Sequence, residues 1–242
     1  MPNKKILAAS RQYRIGNFTK ACIAVATILA MLAYSAFPLA IFFNKPYFWH
    51  GLVSGLSEPG QPHNLLFTGI DIAASLFGIL FFSYLTWRED WDRPQAIALG
   101  LVVVACLAEL LTDLYSLPAN FPTTGGIPSA HYFASHPALI VHLAASSVNS
   151  VAFVASFGLW VLHRRHTKSD SFVRELIFVI TLCVGIFGTI VGRIYPAASP
   201  TLQRIFILCY CYWFIAFPFD SLALKRRRAH IARKRYAAAT AK

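Results

Sequence analysis

Six long apolar stretches, at roughly 20–43, 65–87, 95–117, 138–162, 175–195 and 204–224, occupy most of this chain. Each is near or above the ~20 residues that a helix needs to cross about 30 Å of hydrocarbon. Lipid offers no partner for an unpaired backbone amide, so such stretches must bond internally as helices. The sequence therefore predicts an all-α integral membrane protein, a single bundle of six transmembrane helices.

The charges between these stretches fall on alternate gaps. Lys4, Lys5, Arg11, Arg14 and Lys20 precede the first span, and Arg88 and Arg93 follow the second. Arg164, Arg165, Lys168 and Arg174 follow the fourth, and the remaining eight on this side lie between Lys225 and Lys242. The opposite gaps hold Lys45, with Arg193 and Arg204 at span ends. By the positive-inside bias, this predicts a multi-pass cell (inner) membrane protein with both termini cytoplasmic. Three regions result: a basic cytoplasmic N-terminus (1–19), the transmembrane domain (20–224) and a basic cytoplasmic tail (225–242). The apolar run at 20–43 is far longer than a signal-peptide h-region of about 7–15 residues, so it reads as a retained signal-anchor.

A net charge of +12 invites a nucleic-acid reading. Its placement beside membrane exits, where anionic lipid attracts cations, explains it without nucleic acid. The tail segment Lys225–Tyr236 is expected to form a short basic helix lying on the inner leaflet. The five cysteines (Cys22, Cys106, Cys183, Cys209, Cys211) all fall inside spans, where they serve as small buried hydrophobes rather than as disulfide or metal partners.

Ionisable groups inside a span are costly unless paired or hydrated, so each marks a candidate site. Asp71, Glu109, Asp113, His142 and Arg193 all fall in the outer halves of their spans. Glu109 and Asp113 are four residues apart and share one helix face, ~6 Å apart along the axis. Thr68, Asp71, Ser75 and Gly78 repeat at helical spacing on the second span. His142, Ser146, Asn149 and Ser150 form a polar stripe on the fourth. The fifth carries Gly185, Gly188 and Gly192, whose spacing lets a neighbouring helix approach closely. Polar faces on several spans should turn inward together, which predicts a polar cavity open to the outer side. Asp71, Glu109, Asp113, His142, Ser146, Asn149 and Arg193 are its expected binding residues. The competing reading is structural: Arg193 pairs with Asp71 or Asp113, and the hydroxyl and amide side chains bond helices together. Three carboxylates against one Arg and one His leave negative charge over, which favours water, a proton, a cation or a cationic headgroup in the cavity.

Zinc would find suitable residue types in His142 and the acids, but no HExxH or HxxxH pair is present. No haem-spaced histidine pair, Gly-rich phosphate loop or nucleophile elbow occurs. No metal, cofactor or catalytic residue is therefore assigned. The outer loops are aromatic at 45–63 and rich in Pro and Gly at 118–137, where an irregular cap over the cavity is expected.

The segment Leu56-Ser57-Glu58-Pro59-Gly60, followed by Asn64-Leu65-Leu66-Phe67-Thr68-Gly69 at the start of the second span, resembles the bacterial six-helix membrane family of unknown function 998. It is also similar to the FRAG/DRAM/Sfk-like membrane proteins. Six spans with both ends inside and His142 near the start of the fourth agree with that resemblance. Where an acid is expected after a Phe-Pro pair, this chain has Phe121-Pro122-Thr123. The resemblance implies a fold and carries no agreed activity.

Four functions remain open on the sequence. The cavity binds a small molecule or lipid headgroup, or the bundle scaffolds another membrane protein or a second copy of itself. Alternatively, the acids and His142 serve a membrane-embedded lipid hydrolase or transferase, or the chain is a small transporter.

Overall fold

The computed structural model describes residues 24, 27–28, 37–45, 51–88, 91–118, 129–166 and 172–240, without the side chains at 88, 130, 187, 189, 192–193, 196, 221–230 and 232–240. Every regular element among the described residues is helical. A 3-10 turn at Phe37–Leu39 runs into α1 (Ala40–Phe43), and a second 3-10 turn spans Val53–Ser57. The long helices α2 (Asn64–Arg88) and α3 (Arg93–Leu114) follow. After them come the short α4 (Ala130–Ser135), then α5 (Pro137–His166), α6 (Phe172–Ile194) and α7 (Ser199–Thr240).

Local chemistry explains the boundaries. Pro94 sits in the first turn of α3 and Pro137 opens α5, positions where the missing amide hydrogen costs nothing. Ser129 caps α4 by accepting from the Tyr132 amide at 3.2 Å. Gly60 (φ 96°) and His63 (φ 58°) take left-handed conformations, which turn the chain sharply between Ser57 and α2.

Among the described residues, four helices are long and apolar enough to cross a membrane: Asn64–Trp87, Arg93–Leu114, Pro137–His166 and Ser199–Asp220. Leu65, Leu80, Trp87 and Val151 on these helices are 70% to 81% exposed, which suits a hydrocarbon surround. The chain is a membrane-embedded helical protein. The first apolar stretch lies mostly outside the described residues, and α6, a helix of 23 residues, occupies the fifth. Cys106, Cys183, Cys209 and Cys211 are unbridged, and Cys22 lies outside the described residues.

The helix α3 packs chiefly on α5 and α2, and α6 packs on α7. Between them lies an aromatic core of Phe82, Phe153, Phe157, Trp160, Trp213, Phe214 and Phe217, all essentially inaccessible. Phe153 stacks on Tyr210 with ring centroids 3.9 Å apart, and Trp213 stacks on Phe217 at 4.9 Å. A close approach of α2 to α3 depends on Gly78: a Cβ there would lie 2.7 Å from Cys106 Sγ. At one end of the bundle, Arg164 of α5 and Arg174 of α6 both pair with Asp220 of α7, at 2.7 and 3.1 Å. Arg174 also lies over the Trp160 ring.

One expectation changes in form. The basic segment after residue 224 continues α7 without a break to Thr240, instead of forming a separate helix on the leaflet. Alanine, arginine and lysine dominate it, and all three are strong helix formers, so nothing in this stretch ends the helix.

Candidate functional site

At the end of the bundle opposite Asp220, four helices and one turn enclose a polar cavity of ≈ 80 Å³. Asp71 comes from α2, and Glu109, Thr112 and Asp113 come from α3. His142 comes from α5 and Gln203 and Ile207 from α7, with Val53, Ser54 and Ser57 closing the top. A second chamber of ≈ 200 Å³ shares Ser54, Glu109, Thr112, His142, Gln203 and Ile207 with the first. It extends toward Ser146, Asn149, Ser150 and Tyr210. Water needs roughly 10–15 Å³ of such space, so the two chambers have room for several waters or a small polar group.

The structure thus brings Asp71, Glu109, Asp113, His142, Ser146 and Asn149 to adjoining spaces. The seventh expected member, Arg193, falls on α6 with its side chain outside the described ones. Its pairing with Asp71 or Asp113 likewise lies outside the described residues. Instead, Ser57 Oγ donates to Asp71 Oδ2 at 3.3 Å and Ser75 Oγ donates to Asp113 Oδ2 at 3.1 Å. Both hydroxyls were legible as polar positions in the sequence, but only packing shows which acid each one meets.

Glu109 is held differently. Asn149 Nδ2 donates to Glu109 Oε2, and Tyr210 Oη donates to Asn149 Oδ1 at 2.8 Å. The relay uses both ends of the Asn149 amide and ties α3, α5 and α7 together across the cavity floor. Tyr210 is invisible as a site residue in an apolar stretch; its phenol group supplies a polar handle on an otherwise aromatic face.

His142, 5% exposed, has a fixed orientation. Its Nδ1 lies 2.9 Å from the Tyr115 carbonyl and 3.1 Å from the Thr112 carbonyl, where α3 ends. Carbonyls only accept, so Nδ1 carries the hydrogen. In the neutral ring Nε2 is then an acceptor, and the ring lines both chambers.

Among the described residues, a cap over the cavity comes from the first loop; of the segment 118–137 expected there, residues 119–128 lie outside the described ones. The Val53 amide donates to Gln203 Oε1 at 2.7 Å, Gln203 Nε2 donates to Ser54 Oγ at 3.3 Å, and Arg204 Nη2 donates to the Gly51 carbonyl at 3.0 Å. Leu56 and Val53 pack against Phe67, Phe37 and Ile207. Among the described residues, Val53–Ser57 thus lies across this end of the cavity. Gln203 falls just before the apolar stretch that begins at 204, but α7 starts earlier, at Ser199, and carries it into the wall. Glu58 follows the cap, 4% exposed, with Oε1 buried and without a hydrogen-bond partner. Burial pushes its carboxyl up to about 7.

Among the described residues no three of His, Cys, Asp and Glu stand together as metal ligands do. The described lining residues of both chambers include no Lys or Arg. The arrangement offers carboxyl oxygens, one imidazole nitrogen and the hydroxyls of Ser54, Ser116, Ser146 and Ser150 to whatever fills it.

These residues lie within a matched region. The model of a family described as Protein of unknown function (DUF998) matches residues 21–220. The chain belongs to this family. No curated protein and no solved structure matches it. The DUF998 match contains every cavity-lining residue named above, so the site lies in the part of the chain that defines the family.

Proposed function

We propose that this is a six-span cell (inner) membrane protein with both termini cytoplasmic, and that it binds a cationic small molecule or lipid headgroup in a cavity in the outer half of the bundle. One observation carries the reading: three carboxylates and an imidazole acceptor line adjoining chambers whose described walls hold no cation. A buried charge without a partner is expensive, so an occupant that supplies N–H donors and positive charge is stabilised there. Alternate-gap charge supports the topology, because 19 of the 22 Lys and Arg residues follow the cytoplasmic pattern. The basic tail is proposed to meet anionic lipid where α7 leaves the membrane.

Two observations weigh against the alternatives. Among the described residues no side-chain hydroxyl is bonded to His142: Ser57 donates to Asp71, and Ser54 accepts from Gln203. A hydroxyl nucleophile activated by that imidazole, one arrangement a hydrolase or transferase uses, is thus not assembled among the described residues. In the scaffold reading the small-residue face of α6 would receive a partner. A Cβ on Gly185 would meet Phe206 and one on Gly188 would meet Leu202, both of α7, so part of that face already lies against α7 within the chain.

The test is thermal unfolding of the purified full chain with millimolar ethanolamine, and with ethylene glycol as its uncharged counterpart. Ethanolamine should raise Tm, by ligand linkage to the folded state, and the glycol should not. Equal shifts from both would overturn the cationic reading.

A further inference from the structure

Beyond Asn149 and Tyr210 the second chamber has a neighbouring space. A groove of ≈ 500 Å³ shares Ser146, Ser150, Gln203 and Phe206 with the second chamber and runs out between α5, α6 and α7. Its far walls are Leu52, Ser147, Val151, Val184, Gly185 and Leu202. Ser147, Val151 and Gly185 are exposed, Val151 to 70%, so the groove opens on the flank of the bundle. Small residues leave the slot: serine and glycine on α5 and α6 stand where larger side chains would close the helices together.

Three features set what this path can admit. The end of the cavity is covered by Val53–Ser57, latched to α7 through Gln203 and Arg204, so the flank is the way in that the described residues leave. The flank belongs to helices whose outward faces are apolar, so the medium at the slot is hydrocarbon rather than water. The inner terminus carries three carboxylates and His142, which is 5% exposed and is held through Nδ1, with the ring lining both chambers. An amphiphile with an apolar tail and a compact cationic head matches this gradient from groove to chamber.

The head must also carry N–H bonds. Carboxylate oxygens and imidazole nitrogen are satisfied by hydrogen-bond donors, and a primary ammonium offers three. A quaternary ammonium offers none and is held by aromatic faces, of which Phe206 and Tyr210 are the described examples in the lining. The ≈ 80 Å³ chamber accepts an ammonioethyl group and leaves no space for an acyl chain, which must stay in the groove.

We propose that the natural occupant is a membrane lipid with a primary-ammonium headgroup, which enters sideways through the groove between α5, α6 and α7 and seats its ammonium among Asp71, Glu109 and His142. This rests on the cationic-ligand reading above and adds the ligand's class and its route.

The experiment uses the delipidated full chain in a neutral detergent. It is titrated with short-chain phosphatidylethanolamine, phosphatidylcholine and phosphatidylglycerol, and separately with free ethanolamine. Binding is read by native mass spectrometry and by Tm. Phosphatidylethanolamine should bind at least tenfold more tightly than the other two lipids. Glu109→Gln, which keeps an acceptor for Asn149, should lose that preference, and so should Asp71→Asn, which guards against misfolding of the first variant. Ser147→Phe, which fills the groove and leaves the chambers intact, should weaken the lipid tenfold or more and leave the ethanolamine shift in place. Equal binding of phosphatidylcholine would overturn the headgroup assignment. Full lipid binding by Ser147→Phe would overturn the lateral route. Failure of the lipid with ethanolamine still effective would overturn the lipid class alone, whereas failure of ethanolamine as well would overturn the underlying cationic reading.

Discussion

The Arg164 guanidinium of α5 stands 2.7 Å from the Asp220 carboxylate of α7, and the two are almost buried: 5% and 25% of their side-chain surface is exposed. Arg174 of α6 completes the cluster at 3.1 Å from the other oxygen. Asp220 therefore holds two cations, and three helices, at the end of the bundle away from the cavity. Asp220→Asn should cost about 3–5 kcal/mol, since it removes the carboxylate that both buried guanidinium groups share. Replacing all three residues by Met or Leu should be much milder. Equilibrium unfolding in micelles measures both, and a mild effect of Asp220→Asn alone would show that the cluster is solvated.

The relay from Tyr210 through Asn149 to Glu109 calls for a small number. Hydrogen bonds between membrane helices average about 0.6 kcal/mol and reach about 1.7. Tyr210→Phe should thus destabilise by ~0.5–1.5 kcal/mol and leave the Phe153 stack intact, as read by unfolding and by near-ultraviolet dichroism. A loss several times larger would mean that Tyr210 supports the cavity by more than this bond.

Gly78→Ala should cost ~1–3 kcal/mol, the usual range for overpacking, because the added carbon meets Cys106 Sγ at 2.7 Å. Gly69 and Gly100, with nothing within 4 Å of such a carbon, should accept Ala neutrally or with a slight gain from helix propensity. Thermal unfolding of the three single variants separates contact from propensity.

Glu58 makes stability pH-dependent. Its carboxyl is raised by burial from 4.5 to about 7 in the folded chain, so the folded state holds its proton more tightly than the unfolded state does. The contribution is fully present below pH ~4.5, declines between ~4.5 and ~7, and is gone above that. Unfolding followed from pH 4 to 8 should show this decline, and Glu58→Gln should flatten it. An unchanged profile in the variant would assign the slope to another group.

The unbroken helix beyond Asp220 limits how the tail meets lipid. At ~1.5 Å per residue, Arg235 stands ~15 Å further along the helix than Lys225, beyond the ~8–10 Å reach of surface charge at physiological salt. Anionic lipid should therefore slow tryptic cleavage at Lys225–Arg228 and leave cleavage at Arg233–Arg235 unaffected, when the full chain is compared in anionic and neutral nanodiscs. Equal rates at Lys225–Arg228 in both would sink the lipid contact.

The sequence alone determined that the chain is helical, where the four apolar helices at 64–87, 93–114, 137–166 and 199–220 run to within a few residues, and which residues are too polar for their depth. Asp71, Glu109, Asp113, His142, Ser146 and Asn149 stand out because hydrocarbon makes a buried charge or amide conspicuous at any position in a span. The DUF998 resemblance was carried by Leu56–Gly60 followed by Asn64–Gly69, with His142, and the match over residues 21–220 extends it to most of the chain. Tertiary structure alone decided the partners. Nothing in helical spacing tells that Ser57 reaches Asp71, that Ser75 of α2 reaches Asp113 of α3, or that Tyr210 and Gln203 enter the wall. Spacing fixes the face a side chain occupies on its own helix. The rotation and depth at which that face meets another are set by packing between helices, through contacts such as Gly78 on Cys106 and Phe153 on Tyr210. The cap was illegible for the same reason: Val53–Ser57 is held by contacts about 150 residues away in sequence, and a local pattern carries no record of them.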